Sequence, residues 1–184
     1  MKNEKTTNYG KKIIHDMSQI SMMLDNYDDI FSDFDSREYS QKLLSDDFLI
    51  EAKKVSVETI SGSFELRLLI PSEERDEELE NVIKKRLREN FKHQYKKLIK
   101  EHQELTVKGT LFIITGVIIM LITAALNYFE NNFIITFLFI IGQPAGWFFF
   151  WEGLGLLMFK PKLLKNELIF YRKMARCEIK FIEY

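Results

Sequence analysis

Two long uncharged stretches constrain the fold of this chain more than any other feature. Residues 109–129 contain no charged residue and residues 133–159 contain only Glu152, whereas the remainder is rich in Lys, Arg, Asp and Glu. A helix needs about 20 apolar residues to cross a hydrocarbon core of roughly 30 Å. We therefore predict two transmembrane helices that form an antiparallel hairpin over residues 108–159, because the link between them, residues 130–132, is very short.

Basic residues lie before the first apolar stretch and after the second, whereas the link between them has none. They are Lys92, Lys96, Lys97, Lys100 and Lys108 before the first stretch, and Lys160, Lys162, Lys165, Arg172 and Lys173 after the second. Positive charge beside a span stays in the cytoplasm, so we expect the link outside the cell and both termini inside. Residues 1–10 have no apolar core, so no signal peptide is predicted. The single cysteine, Cys177, excludes an internal disulfide.

An apolar residue recurs at every third or fourth position near the start of the chain. These residues are Ile13, Met17, Ile20, Leu24, Tyr27, Phe31 and Phe34. The spacing predicts an amphipathic helix within residues 1–35. Its apolar side packs either on its own domain or on another subunit. Aspartates on its polar side argue against contact with an anionic membrane surface.

Residues 36–107 predict a small α+β domain. Ser45 followed by two aspartates predicts a short helix through about Lys54. Residues 55–60 and 63–70 flank a Ser-Gly pair as a β-hairpin, unless the helix continues through 55–60 and leaves a single strand. Residues 178–184 are expected to add a strand that covers a sheet edge.

A long stalk helix is predicted after Pro71. Its acidic start and basic continuation complement the helix dipole, and apolar residues recur at four-residue steps from Leu79 to Tyr95. No Pro or Gly interrupts it before Gly109, so it runs close to, or into, the first apolar stretch. Pro161 predicts a break after the second stretch, followed by a C-terminal helix and strand within residues 160–184.

The predicted fold class is therefore a mainly α membrane protein. It consists of a two-helix transmembrane hairpin, a small cytoplasmic α+β domain and a long amphipathic stalk helix.

Two sets of residues are candidates for function. Basic residues of the stalk either orient the hairpin beside lipid headgroups or bind an anion, such as a nucleotide or short oligonucleotide, near the axis of an oligomer. The candidates for ligand binding are Lys84, Lys85, Arg88, Lys92 and Lys96. Small and polar residues of the hairpin either pack the helices closely or line a hydrated pore. The candidates for these roles are Gly116, Thr123, Asn127, Gln143 and Glu152.

No pattern in the sequence predicts an enzyme, a cofactor or a metal site. The histidines His15, His93 and His102 have no zinc-type spacing with cysteines or carboxylates. Phosphate loops, dinucleotide fingerprints and nucleophile elbows are missing from the sequence.

Several short motifs resemble a widespread set of uncharacterised bacterial two-span membrane proteins. They are Gly146-Trp147-Phe148-Phe149-Phe150-Trp151, Lys160-Pro161, Tyr171-Arg172, Ala175-Arg176 and Leu69-Ile70-Pro71. The resemblance covers roughly residues 45 to 184, departs from the pattern at Glu152, where a basic residue is usual, and implies the bacterial inner membrane. The layout, without matching motifs, also resembles the membrane effector of the Hailong anti-phage system. That family is understood as a tetrameric ion channel held shut by DNA oligomers that a partner nucleotidyltransferase makes.

A two-helix hairpin cannot enclose a pore alone, so conduction requires several copies around an axis. We expect a homo-oligomeric membrane effector that acts as an ion channel gated by its cytoplasmic domain, and the resemblance to the Hailong effector implies a role in antiviral defence. A membrane-anchored scaffold or adaptor without conductance is the competing interpretation, and a small transporter subunit is a third.

Overall fold

The computed structural model describes residues 19–57, 65–126 and 132–184. The chain is mainly helical, at 71%, with two long apolar helices that could span a membrane and a small sheet. The strands are β1 (Gln19–Met23), β2 (Glu65–Ile70) and β3 (Glu178–Glu183), and the α-helices are α1 (Asp46–Val57), α2 (Glu77–Leu126), α3 (Phe133–Met158) and α4 (Lys160–Met174). Short 3-10 helices cover Tyr27–Ile30 and Ser72–Glu74.

The chain divides into two compact units. The first comprises Met1–Tyr95 together with Ile169–Tyr184, and the second comprises Lys96–Leu168. The four predicted segments 1–35, 36–107, 108–159 and 160–184 are thus grouped differently, because β3 pairs with β2 and brings the last strand into the first unit. Helix α2 contributes residues to both units.

The sheet of the first unit is parallel, with strand order β1-β2-β3. Leu66 of β2 lies beside Ile20 of β1 and Ile179 of β3, and Leu68 lies beside Phe181. These residues are buried, and they form one core with side chains of α1, α2 and α4. The helical contributors include Phe48, Ala52, Ile83, Leu87, Phe91, Phe170 and Met174.

The opposite face of the sheet is only partly covered. Glu65 forms ion pairs with Arg67 at 3.4 Å and with Lys180 at 3.1 Å. Burial alone would raise the pKa of Glu65, but hydrogen bonds from Lys180 and Arg67 lower it. Parallel sheets are usually covered on both faces, and among the described residues this face carries ion pairs.

The helix predicted near the start of the chain is wrong over its described part. Gln19–Met23 form a strand, and a 3-10 helix follows, capped by the side chain of Asn26. Four of the predicted apolar residues, Ile20, Leu24, Tyr27 and Phe31, are nevertheless buried in the core. The four-three spacing is met by a strand and a turn that face the same core, so it does not require a helix.

Of the alternatives for residues 55–70, the structure has the longer helix with a single strand. Helix α1 reaches Val57, and β2 begins at Glu65. Residues 58–64, which include the predicted turn, lie outside the described residues. The predicted tail strand is confirmed as β3.

Helix α2 begins later than the acidic run suggests. The carboxylate of Asp76 accepts hydrogen bonds from the backbone N–H groups of Glu78 and Leu79, at 2.9 and 3.1 Å. This is an N-cap arrangement, so the helix starts at Glu77. The predicted break after the second stretch is present, but it lies at Phe159, between α3 and α4, and Pro161 falls in the first turn of α4, which accommodates proline.

Candidate functional site

Glycines bring α2 and α3 into backbone contact within the second unit. A Cβ atom added to Gly116 would lie 2.6 Å from the backbone nitrogen of Phe150 and 2.7 Å from the carbonyl oxygen of Gly146. A Cβ atom added to Gly153 would lie 2.6 Å from the carbonyl oxygen of Gly109. Such close approach requires glycine. We call Gly109, Gly116, Gly142, Gly146 and Gly153 the glycine seam.

Thr123 lies in this contact and is buried. Its hydroxyl donates to the carbonyl oxygens of Ile119 and Met120, each at 2.9 Å, and its methyl group faces Gly142. The hydroxyl is therefore satisfied within its own helix. The structure places Gly116 and Thr123 between the two helices of one chain.

The other polar candidates of the hairpin differ in exposure. Gln143 is half-buried and Glu152 is exposed, and Asn127 lies outside the described residues. Because Gly109 and Gly153 touch, Lys108 and Glu152, which precede them in the chain, lie at the same level of the hairpin. The structure does not bring Glu152 and Gln143 together, because they lie nine residues apart along α3, a distance of about 13 Å.

Two exposed tryptophans stack on α3. The rings of Trp147 and Trp151 are 6.1 Å apart, with an angle of 23° between their planes. Trp151 directly precedes Glu152 in the chain. The pair and the charged residues Lys108 and Glu152 therefore occupy the same end of the hairpin. Tryptophan is enriched where a membrane meets water.

Three of the basic candidates form an exposed row on α2. Lys85, Arg88 and Lys92 are exposed and three or four residues apart, which places them on one side of the helix. The buried residues of α2, such as Leu87, lie on another side. Among residues 19–57, 65–126 and 132–184, these three side chains have no ion-pair partner. We call Lys85, Arg88 and Lys92 the basic stripe.

The other two basic candidates differ from the stripe. Lys84 is half-buried, and its Nζ lies 3.5 Å from a carboxylate oxygen of Glu80 and 5.3 Å from the ring centroid of Phe181. It therefore belongs to the packing of the first unit. Lys96 is exposed on the same helix and is the first residue of the second unit.

A buried polar cluster at the start of α2 was not predicted. Glu80 is only 2% exposed and accepts hydrogen bonds from Arg75 at 2.9 and 3.1 Å and from the Tyr27 hydroxyl at 3.4 Å. The Tyr27 oxygen also accepts from the backbone N–H of Asp76 at 2.9 Å. Burial raises the pKa of Tyr27. The signal in the sequence is that Glu80 lies seven residues before Leu87, on the apolar side of the helix.

A second unpredicted feature is the loop between β1 and α1, residues 25–45, which we call the acidic loop. The carboxylate of Asp35 accepts hydrogen bonds from the backbone of Leu43 at 2.7 Å and from the guanidinium of Arg37 at 2.7 and 2.9 Å. These bonds hold the pKa of Asp35 well below its usual value. Next to this bonded carboxylate, Phe34 is fully exposed.

The structure offers no metal-binding cluster among its described residues: no group of three or more His, Cys, Asp or Glu side chains there could hold an ion. Glu89 and His93, one turn apart on α2, are both exposed. No protein-family model, curated protein or solved structure matches this chain.

Proposed function

We propose that the chain is a homo-oligomeric membrane effector whose two long apolar helices form a transmembrane hairpin. Only 17% of the apolar window of α2 and 6% of that of α3 is buried, whereas the core helix of a soluble protein is mostly buried. A soluble surface rarely exposes so large an apolar patch. Exposed side chains include Leu121, Ile122, Phe133, Ile134, Phe137 and Phe148. Lipid is the solvent that suits this surface.

The orientation that we propose has the link outside the cell and both flanking regions in the cytoplasm of a bacterium. Its support is the excess of Lys and Arg on the flanks of the hairpin. A cysteine at Asn131 should react with an impermeant thiol reagent in intact cells. Protection of Asn131→Cys in intact cells, with reaction after permeabilisation, would reverse this orientation.

The observation that carries the effector proposal is the continuity of α2. Its residues Ile83, Leu87 and Phe91 are fully buried in the core of the first unit, and Gly116 and Thr123 of the same helix lie in the hairpin contact. A rearrangement of the core of the first unit therefore acts on a helix that continues into the membrane. Helices shared in this way are a common basis of switching between states.

We propose ion conduction as the output. One hairpin cannot surround a pore, so several copies must assemble around an axis. The half-buried Gln143 is a polar group at membrane depth that needs a partner or water, and a hydrated pore between subunits would supply it.

We further propose that an anion at the basic stripe controls the pore. Its positive charges lack carboxylate partners among the described residues, and subunits around an axis would bring several such stripes together. Like charges at short range repel one another, and salt screens them only partly. An anion that binds one arrangement more tightly than the other shifts the equilibrium between closed and open states.

The test is ion flux from liposomes that contain the purified full chain. We expect flux that changes when nucleotides or short DNA oligomers are added, and that no longer responds in Lys85→Glu/Lys92→Glu. A protein that inserts and assembles but conducts under neither condition would rule out the channel.

The second candidate function is a membrane-anchored scaffold. The glycine seam favours it, because the small residues are used between the helices of one chain and the outer surface is apolar. A scaffold gives no flux in the same liposomes but still assembles. The flux experiment therefore separates the two functions.

A further inference from the structure

We infer that the acidic loop of one chain docks on the basic stripe of a second copy, with Phe34 as its apolar anchor. This inference rests on the proposed function and names the partner of the stripe within the assembly, with which an added nucleotide or DNA oligomer would compete. The partner is therefore another molecule of the same chain, and the contact lies between the soluble units of neighbouring subunits.

The two surfaces have opposite charge. Residues 25–45 contain six Asp and Glu but only one Arg and one Lys, whereas residues 84–100 contain eight Lys and Arg but only one Glu. Opposite fields increase the rate of encounter and select the partner. The same negative charge disfavours an anionic membrane surface as the partner of Phe34.

Some carboxylates of the acidic loop already have internal partners. Asp28 pairs with Lys42 at 2.7 Å, and Asp35 pairs with Arg37 at 2.7 Å. Among the residues that the structure describes, Asp33 and Glu38 form no side-chain hydrogen bond and no ion pair within 4 Å, and both are exposed. Asp33 interacts with Lys42 only at longer range, so both carboxylates can still contact a basic surface.

The acidic loop is held in one conformation before it binds. Phe31 and Leu44 form an antiparallel bridge, the backbone N–H of Ser32 donates to the carbonyl oxygen of Leu43 at 2.9 Å, and the rings of Phe31 and Tyr39 lie 5.3 Å apart. A binding surface that is already ordered loses little entropy on association. A fully exposed aromatic side chain on such a loop is typical of an interface anchor.

Geometry favours a contact between copies over one within a chain. Arg86 donates to the carbonyl oxygens of Lys42 and Gln41, at 2.9 and 3.2 Å, so the loop of each chain lies against that flank of α2. Arg88 follows two positions later, about 200° around the helix. The basic stripe therefore faces away from the loop of its own chain.

A contact between two different surfaces is head-to-tail. Each chain offers its acidic loop to one neighbour and its basic stripe to the other. Such an interface closes into a ring when its rotation divides a full turn. A ring is the assembly that a pore at the axis of several hairpins needs.

The test is a double charge reversal in the full chain, with association measured by sedimentation equilibrium in density-matched detergent micelles. Asp33→Lys/Glu38→Lys and, separately, Lys85→Glu/Lys92→Glu should each weaken association about 10-fold or more. All four changes in one chain should restore most of it, because opposite charges again face each other. Phe34→Ser should weaken association about 10-fold or more and should not be rescued.

Glu73→Lys/Glu74→Lys is the matched control. Both residues are exposed and lie outside the acidic loop, and the two substitutions change the net charge by the same amount. This control should associate as the wild type does. An oligomer that persists in every variant would overturn the docking contact and leave the proposed function intact, whereas a wild-type chain that stays monomeric would overturn both. Loss in both reversals without recovery in the fourfold variant would also overturn the contact. Loss of DNA-oligomer binding in Lys85→Glu/Lys92→Glu while association stays unchanged would overturn it too, because the stripe would then bind a free polyanion.

Discussion

Substituting alanine for Gly116 tests the helix contact that the hairpin depends on. The added Cβ would lie 2.6 and 2.7 Å from backbone atoms of Phe150 and Gly146, whereas ordinary contacts begin near 3.4 Å. Neither backbone atom can rotate away, so the helices must separate by roughly 1 Å. A gap of that size loses a quarter to a half of the attraction of each affected contact, and overpacking typically costs about 1–3 kcal/mol.

Gly155→Ala is the matched control, because a Cβ atom there meets nothing within 4 Å. Both variants gain the greater helix propensity of alanine, about 1 kcal/mol in a soluble helix. The difference between them therefore isolates the contact at Gly116, and we expect Gly116→Ala to be less stable than Gly155→Ala by about 1–3 kcal/mol.

The assay is unfolding of the full chain in mixed micelles with increasing SDS, followed by tryptophan fluorescence. The chain has two tryptophans, Trp147 and Trp151, and both lie on α3, so the signal reports on the hairpin alone. Gly116→Ala should unfold at a lower fraction of SDS than the wild type, and Gly155→Ala at an equal or higher one. Equal midpoints for the two variants would refute the close helix contact.

Three further predictions concern the first unit. Glu80→Ala should lower the free energy of unfolding in urea by about 1–3 kcal/mol, because it leaves the buried Tyr27 hydroxyl without its hydrogen-bond acceptor, whereas Glu78→Ala should cost under about 1 kcal/mol. The folded pKa of Asp35 is lowered by the Arg37 hydrogen bond, so its contribution is present above its unfolded value of 3.8 and is lost as pH falls below it. Asp35→Asn should therefore be less stable than the wild type at pH 7, with a difference that shrinks in acid, as measured by circular dichroism; a constant difference would contradict this. Burial raises the pKa of Cys177 to about 12, so maleimide at pH 7 should label it only after unfolding, and rapid labelling of the folded chain would show that it is accessible.

Long-period features of this chain can be predicted from sequence, because one physical requirement determines each of them. The two apolar stretches predicted α3 and the second half of α2, since no other residues could satisfy a span of that length. The apolar steps through Ile83, Leu87 and Phe91 predicted the buried side of α2, and all three are fully buried.

The short strand β1 could not be predicted in the same way. Ile20 and Leu24 have helical spacing, but pairing with β2, more than 40 residues away in the chain, makes β1 a strand. That pairing is a tertiary contact, which local pattern does not contain.

The candidate sites could likewise be predicted only in part from the sequence. The exposure of Lys85 and Lys92 follows from their position opposite the apolar side of α2, whereas Lys84 is removed from that set by a contact with Phe181 from the far end of the chain. The glycines of the hairpin are visible in the sequence, but the pairing of Gly116 with Gly146 depends on the relative shift of the two helices.

The place of β3 in the sheet has a consequence for synthesis. β3 follows both apolar helices in the chain, yet it pairs with β2, which precedes them. A ribosome therefore releases β2, α2 and α3 before the strand that completes the sheet exists. The first unit can be completed only after both apolar helices have been made. Under the transmembrane arrangement that we propose, β3 would reach β2 only when the hairpin has both ends on the same side of the membrane, so completion of the sheet would depend on correct insertion.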